Sequence, residues 1–253
     1  MTQSDLSAIR NLLSSHALSD DLVAVRRSSR AKRLIFKSSV AKGVEIVVPR
    51  GTDPAWVTDK VEGRISWIRN AHQRVSEGRG QLNPREIDLR ALGETWTVSH
   101  SRLDEIRNGL VVSGEFALTV GVDPGDVFCV ARNLQQWLHR KAMASLLPWL
   151  GSLAEHRGLR FNRAVVRNQV SRWGSCSEKR NVSLNQNLLF LPNHLVEYVI
   201  HHELTHLDHL NHSGEYWRSF SSALPNCREL RSELRALDRE SVPAWASPGL
   251  DRV

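Results

Sequence analysis

The sequence predicts an α+β protein: a small antiparallel-sheet unit containing a helix, followed by a helical and β domain with an H-E-x-x-H motif on one of its helices. Three observations carry this. Short alternating or β-branched segments cluster before residue 121, long stretches of helical periodicity dominate after residue 126, and V-D-P-G-D at 122–126 separates the two patterns. The 253 residues, 41% hydrophobic and 24% charged, suffice for a folded core without covalent staples.

Taken in order, residues 1–20 read as an N-terminal tail, loose or weakly helical. Residues 33–49 read as two strands about a turn at Lys42-Gly43. Asp53-Pro54 is a helix start, and Val57, Val61, Ile65, Ile68 and Val75 continue it with helical spacing as one helix. G-R-G-Q-L-N-P at 78–84 is a loop, and 86–120 supply several short antiparallel strands, so 21–121 form one sheet-rich unit. The second domain spans 126–240. It opens with a long helix over about 127–156 that Pro148 should kink and Gly158 should end. R-A-V-V-R-N-Q-V and N-V-S-L-N-Q-N-L-L-F read as strands joined by a turn at W-G-S-C-S-E-K-R. The helix after Pro192 is capped by Asn193, a last helix lies near 227–240, and 241–253 read as a loose tail.

Three scattered cysteines, Cys129, Cys176 and Cys227, do not make a disulfide framework. No basic segment followed by an apolar stretch opens the chain, and its longest apolar runs are too short to span a bilayer. A cytoplasmic location away from the membrane is the expectation. The formal net charge is +7. Its excess is local: Arg26, Arg27, Arg30, Lys32, Arg33, Lys37 and Lys42 form one acid-free run, and Arg157, Arg160, Arg163, Arg167 and Arg172 another. These are either solvated basic faces or sites for nucleic acid or nucleotides.

The densest chemistry lies in H-H-E-L-T-H-L-D-H-L-N-H, residues 201–212. His202, Glu203 and His206 form H-E-x-x-H, which on a helix sets two imidazoles one turn apart, about 6 Å in rise, on one face. Both can reach one metal ion, and the glutamate can hold a water beside it. Zinc lowers the pKa of such a water to about 7, within reach of a carboxylate base. A catalytic zinc takes three protein ligands. His209 would sit about 10.5 Å along a straight helix from His202, whereas His212, beyond the helix end, can return from another direction. His212 is therefore the expected third ligand. His201 points away and reads as structural. The spacing to His212 matches the metzincin peptidases, but His209 stands where they have glycine, and Met1 and Met143 are the only methionines, so their methionine turn is missing. A ligand from Glu229 or Glu233 is the remaining alternative.

Taken with the stretch before it, R-W-G-S-C-S at 172–177, Leu184-Asn185, Pro192, Tyr198-Val199, His202-Glu203-Leu204, His206-Leu207, Asn211-His212-Ser213 and Trp217 strongly resemble the YgjP-like zinc metallopeptidases, which are related to the SprT and WLM peptidase domains. Tyr216 stands at their usual phenylalanine. The basic start, V-V-P-R-G and a helix ending W-I-R extend the resemblance to about residues 22–240. It implies a zincin-like second domain with zinc on His202, His206 and His212 and Glu203 as general base. Trp173, Asn185, His209 and Tyr216 are candidate cleft or supporting residues. Arg172 is either an oxyanion stabiliser or a surface arginine. W-G-S-C reads as a tight turn around an inert Cys176, with the following strand as a possible edge for an extended peptide. The expected activity is zinc-dependent hydrolysis of a peptide or protein. Nucleotide phosphoanhydride hydrolysis, or a nucleic-acid-associated SprT-like protease, are the alternatives.

Overall fold

The computed structural model describes residues 6–18, 21–101, 109–237, 242–248 and 250. The chain divides into two compact units, residues 1–82 with 249–253, and residues 83–248. The boundary expected at 122–126 therefore lies inside the second unit.

In the first unit, α1 (Ser7–Ser15) buries Ile9 and Leu13, so part of the expected N-terminal tail is core. Strands β1 (Val23–Ser28), β2 (Ile35–Ser39) and β3 (Gly43–Pro49) form a sheet in the order β1-β3-β2. β2 and β3 are the expected pair and run antiparallel. β1 was not anticipated and runs parallel to β3, so the sheet is mixed. Its polar sequence, V-A-V-R-R-S, hides it: Arg26 on β1 and Lys37 on β2 flank Glu45 on β3 at 3.0 and 2.7 Å. Two members of the first basic run are thus ion-paired within the sheet. Gly43 closes the turn with φ +74°, where a side chain would run into the Leu22 carbonyl. The helical segment is two helices, α2 (Pro54–Glu62) and α3 (Ile65–Gly80). Asp53 caps α2 as expected, accepting from the Ala55 and Trp56 amides. Gly63 ends it, and Arg64 leaves helical geometry before α3 begins. Val57, Val61, Ile68 and Val75 pack with Val44, Ile46 and Val48 in one core.

The second unit begins with β4 (Glu86–Leu89), β5 (Glu94–His100), β6 (Leu110–Gly114) and β7 (Ala117–Val120), ordered β4-β5-β7-β6 with only the β5–β7 pair parallel. α4 (Val127–His156) follows, capped by Asp126 through the Cys129 amide, with Pro148 inside one helical span. The sheet belongs with α4 for visible reasons. Trp96 of β5 meets Trp137 edge-on at 5.1 Å, and Lys141 pairs with Glu94 at 2.8 Å. A tryptophan pair of this kind adds roughly 0.5–1.5 kcal/mol beyond its buried area.

β8 (Arg163–Arg167), β9 (Gly174–Cys176) and β10 (Asn181–Asn185) make a third sheet, ordered β8-β10-β9. W-G-S-C, expected as a turn, is an edge strand, and β10, expected as the edge, is central. Q-N-L-L-F, expected to continue the strand, winds into a 3₁₀ turn at Gln186–Phe190 because Asn185 caps it through the Asn187 amide. Three helices complete the unit: α5 (Asn193–Thr205), α6 (Gly214–Ala223) and α7 (Cys227–Ala236). Asn193 does not cap α5; its side chain donates to the Ala91 carbonyl. Of the expected C-terminal tail, Trp245 is buried, lies 5.7 Å from the Phe190 ring and accepts at its carbonyl from Gln135. The α+β class stands, all three cysteines are free, and no helix among the described residues is long and apolar enough to cross a membrane.

Candidate metal centre

α5 carries Val196, Val199, Ile200 and Leu204 to the core at helical spacing, which turns His202 and His206 toward one side. The helix ends at Thr205 with His206 as its cap. The following turn is tied down by Arg180, which donates to the Leu207 carbonyl at 2.9 Å. The chain then reverses, and Ser213 opens α6 by accepting from the Tyr216 amide. That reversal delivers His212. Its Nε2 lies 3.4 Å from His202 Nε2, which is 3.2 Å from His206 Nε2. The three ligand atoms all fall within 4.8 Å of one another.

The opposite ring nitrogens explain why these atoms meet. His206 Nδ1–H donates to the His209 carbonyl at 3.0 Å, so the lone pair is on Nε2. The Tyr216 hydroxyl lies 2.6 Å from His202 Nδ1 and 3.4 Å from the His202 carbonyl, to which it can donate. With the phenol donating to that carbonyl, Nδ1 carries the proton and the lone pair is on Nε2, toward the other two rings, which is the tautomer a metal needs. Burial, with His206 and His212 alongside, pushes the pKa of His202 down to about 3. That of His212 is lowered by burial, His206 and Arg231. Neutral imidazole is the metal-binding form.

Glu203 is 4% exposed, and its Oε2 has no hydrogen-bond partner. Burial pushes its pKa up to about 8, against the pull of Arg172. An unpartnered buried carboxylate oxygen beside three convergent imidazole nitrogens is an expensive arrangement for a chain alone and suits a bound cation. The chemistry of the donor set therefore fits a divalent metal, with three nitrogens of the kind zinc takes.

The other expected site residues are distributed unevenly. His209 lies outside the imidazole cluster and contributes its carbonyl. Tyr216 is buried under His202. Trp173 borders a cleft of about 230 Å³ together with Gly174, Tyr198, His202, Glu203 and Arg231. Asn185 does not face the cleft; its side chain donates to the carbonyls of Gln169 and Arg172 and so braces the segment before β9. Glu233 is held by His194 at 2.7 Å and Glu229 is exposed, so neither joins the cluster. His201 is buried on the other side, and Arg157 from the second basic run donates to its carbonyl. Burial raises the Cys176 thiol to about 11, in keeping with an inert cysteine.

Two features escaped the sequence reading. Gly174 lies directly against Glu203: a Cβ there would come within 2.6 Å of Oε1. The W-G-S-C pattern held that signal without saying what the glycine must clear. Arg228, Arg231 and Arg235 also lie near the cleft; their i, i+3, i+7 spacing marks one helix face, overshadowed by the glutamates between them.

The sequence model of one family, described as YgjP-like, metallopeptidase domain, matches residues 32–237. No curated protein and no solved structure matches the chain.

Proposed function

The chain belongs to the YgjP-like metallopeptidase family, and from that premise we propose that it is a zinc-dependent peptidase that uses Glu203 as its general base. One observation carries the reading: three imidazole nitrogens converge beside a buried carboxylate with an unpartnered oxygen. His202, His206 and His212 would hold the metal through Nε2. Zinc in that position would supply a water with a pKa near 7 and polarise the substrate carbonyl.

The protein's residues do the rest. Glu203, as carboxylate, takes the proton of the attacking water and passes it to the leaving amine nitrogen. Its ionised form is favoured by Arg172 and by any cation on the histidine nitrogens. Gly174 lets the carboxylate stand against β9. Among the described residues β9 is an edge strand that borders the cleft through Gly174, and its open side suits pairing with an extended peptide. Tyr216 and the His209 carbonyl keep His202 and His206 in the ligating tautomer. A cytoplasmic setting suits the three free thiols.

Digestion of an unfolded protein by zinc-loaded enzyme, beside Glu203→Gln, tests the proposal. Cleavage lost in the variant at unchanged metal content is expected, and full activity of the variant removes the general base. A second reading, hydrolysis of a nucleotide phosphoanhydride, is favoured by the arginines beside the cleft. Release of phosphate or pyrophosphate from nucleoside triphosphates would support it.

A further inference from the structure

We propose that Arg228, Arg231 and Arg235 form a substrate subsite that takes an oxyanion group, the carboxylate of an acidic residue close to the scissile bond. The inference rests on the peptidase reading above for its substrate, but the subsite stands on its own geometry.

The three arginines project from one face of α7 and, with Trp217 and Ser232, line an open groove of about 340 Å³. Arg231 and Arg235 also border the cleft that holds His202 and Glu203. Groove and cleft therefore share a wall, and a ligand in one reaches the other. None of the three guanidinium groups is ion-paired among the described residues. Of the two acids on α7, Glu233 is engaged by His194, and neither borders the groove. Arg231 lies with its guanidinium carbon 4.9 Å from the centre of the Trp217 ring. Stacking of this kind removes side-chain freedom and presents the planar fork for bidentate binding.

Three like charges around one groove repel one another, and among the described residues no carboxylate lines the groove to offset that. An anion from outside does so, and Arg forks match the two oxygens of a carboxylate. A peptide laid along β9 advances about 3.3 Å per residue, so a side chain within a few residues of the scissile bond reaches the shared wall. A phosphate would use the same forks, and the two sources are separable.

The test uses the zinc-loaded full chain and an internally quenched peptide series in which each position flanking the scissile bond carries either Glu or Gln. Wild type should prefer Glu at one position by roughly tenfold or more in kcat/KM. The double variant Arg231→Gln, Arg235→Gln should lose that preference and keep its zinc. Arg69→Gln, an exposed charge on α3 in the first unit, should change nothing. Calorimetric titration with inorganic pyrophosphate, on protein carrying Glu203→Gln, reads the subsite without turnover; heat that disappears in the arginine variant supports it. Arginine-dependent hydrolysis of nucleoside triphosphates without peptide cleavage would keep the subsite and overturn the peptidase reading. Equal cleavage of Glu and Gln peptides, with pyrophosphate binding unchanged by the double substitution, overturns the subsite itself.

Discussion

Replacing Gly174 by alanine isolates one contact in the candidate site. The backbone there is not in the left-handed region, so alanine adds no conformational strain. What it adds is a Cβ at 2.6 Å from Glu203 Oε1, 2.7 Å from Cγ and 2.9 Å from Cδ. Ordinary contact begins at 3.4 Å, so the carboxylate must retreat by about 0.8 Å or β9 must move off α5. Glu203 is 4% exposed and has little room for either. Misplacing a reacting group by about 1 Å costs on the order of 10²-fold in rate, or about 2.7 kcal/mol of barrier. The expected result is a fall of kcat/KM by roughly 10²-fold on an unfolded protein substrate, with wild-type zinc content and circular dichroism. The same substitution placed on Glu203→Gln should cost little more, since the displaced carboxylate already lacks its role. Wild-type turnover in Gly174→Ala, or an equal loss on both backgrounds, would refute the claim that this glycine serves Glu203.

Three further outcomes follow from the same geometry. Tyr216→Phe removes the hydrogen bond at 2.6 Å from His202 and should weaken zinc binding by about 10–100-fold in a chelator competition, whereas unchanged affinity would detach the phenol from the centre. His212→Ala should leave well under one zinc per chain by elemental analysis while His209→Ala keeps it, because His209 contributes its backbone carbonyl; the reverse pattern would exchange their roles. Glu45 has its pKa lowered below 4.5, chiefly by its hydrogen bond to Lys37 and also by Arg26, against the effect of burial. A depressed folded-state pKa stabilises the protein above the unfolded value and ceases to do so as pH falls through the folded one. The melting temperature of wild type should therefore exceed that of Glu45→Gln at neutral pH, with the gap closing on acidification; a gap independent of pH would show that the charge is not its source.

Much of the fold was legible because its signals are local. Asp53-Pro54 names its own helix start, and the 3.6-residue rhythm of α4 and α5 needs no partner to be seen. What misled was local too. β1 is too polar to read as a strand, since its Arg26 finds its partner, Glu45, only across the sheet on β3. Residues 86–120 read as part of the first unit because nothing nearby announces that Trp96 packs on Trp137, forty-one positions later. Trp245 sits in a stretch rich in proline and serine, which reads as tail until Gln135 and Phe190 are seen against it.

The candidate site divides the same way. Helical spacing alone sets His202, Glu203 and His206 on one side of α5, and the sequence determined that much, because four residues make a little more than one turn. The family, too, was legible from the run of motifs between residues 172 and 217. Tertiary structure decided how His212 comes back to the pair, since that depends on the α5 terminus, the Arg180 tether and the Ser213 cap closing one reversal. It decided that Tyr216 and the His209 carbonyl orient the rings, that Gly174 must be bare to admit Glu203, and that the arginines of α7 border the cleft. Apart from the local bond between His206 and the His209 carbonyl, these are contacts between segments distant in sequence, and only the packed chain brings them within reach.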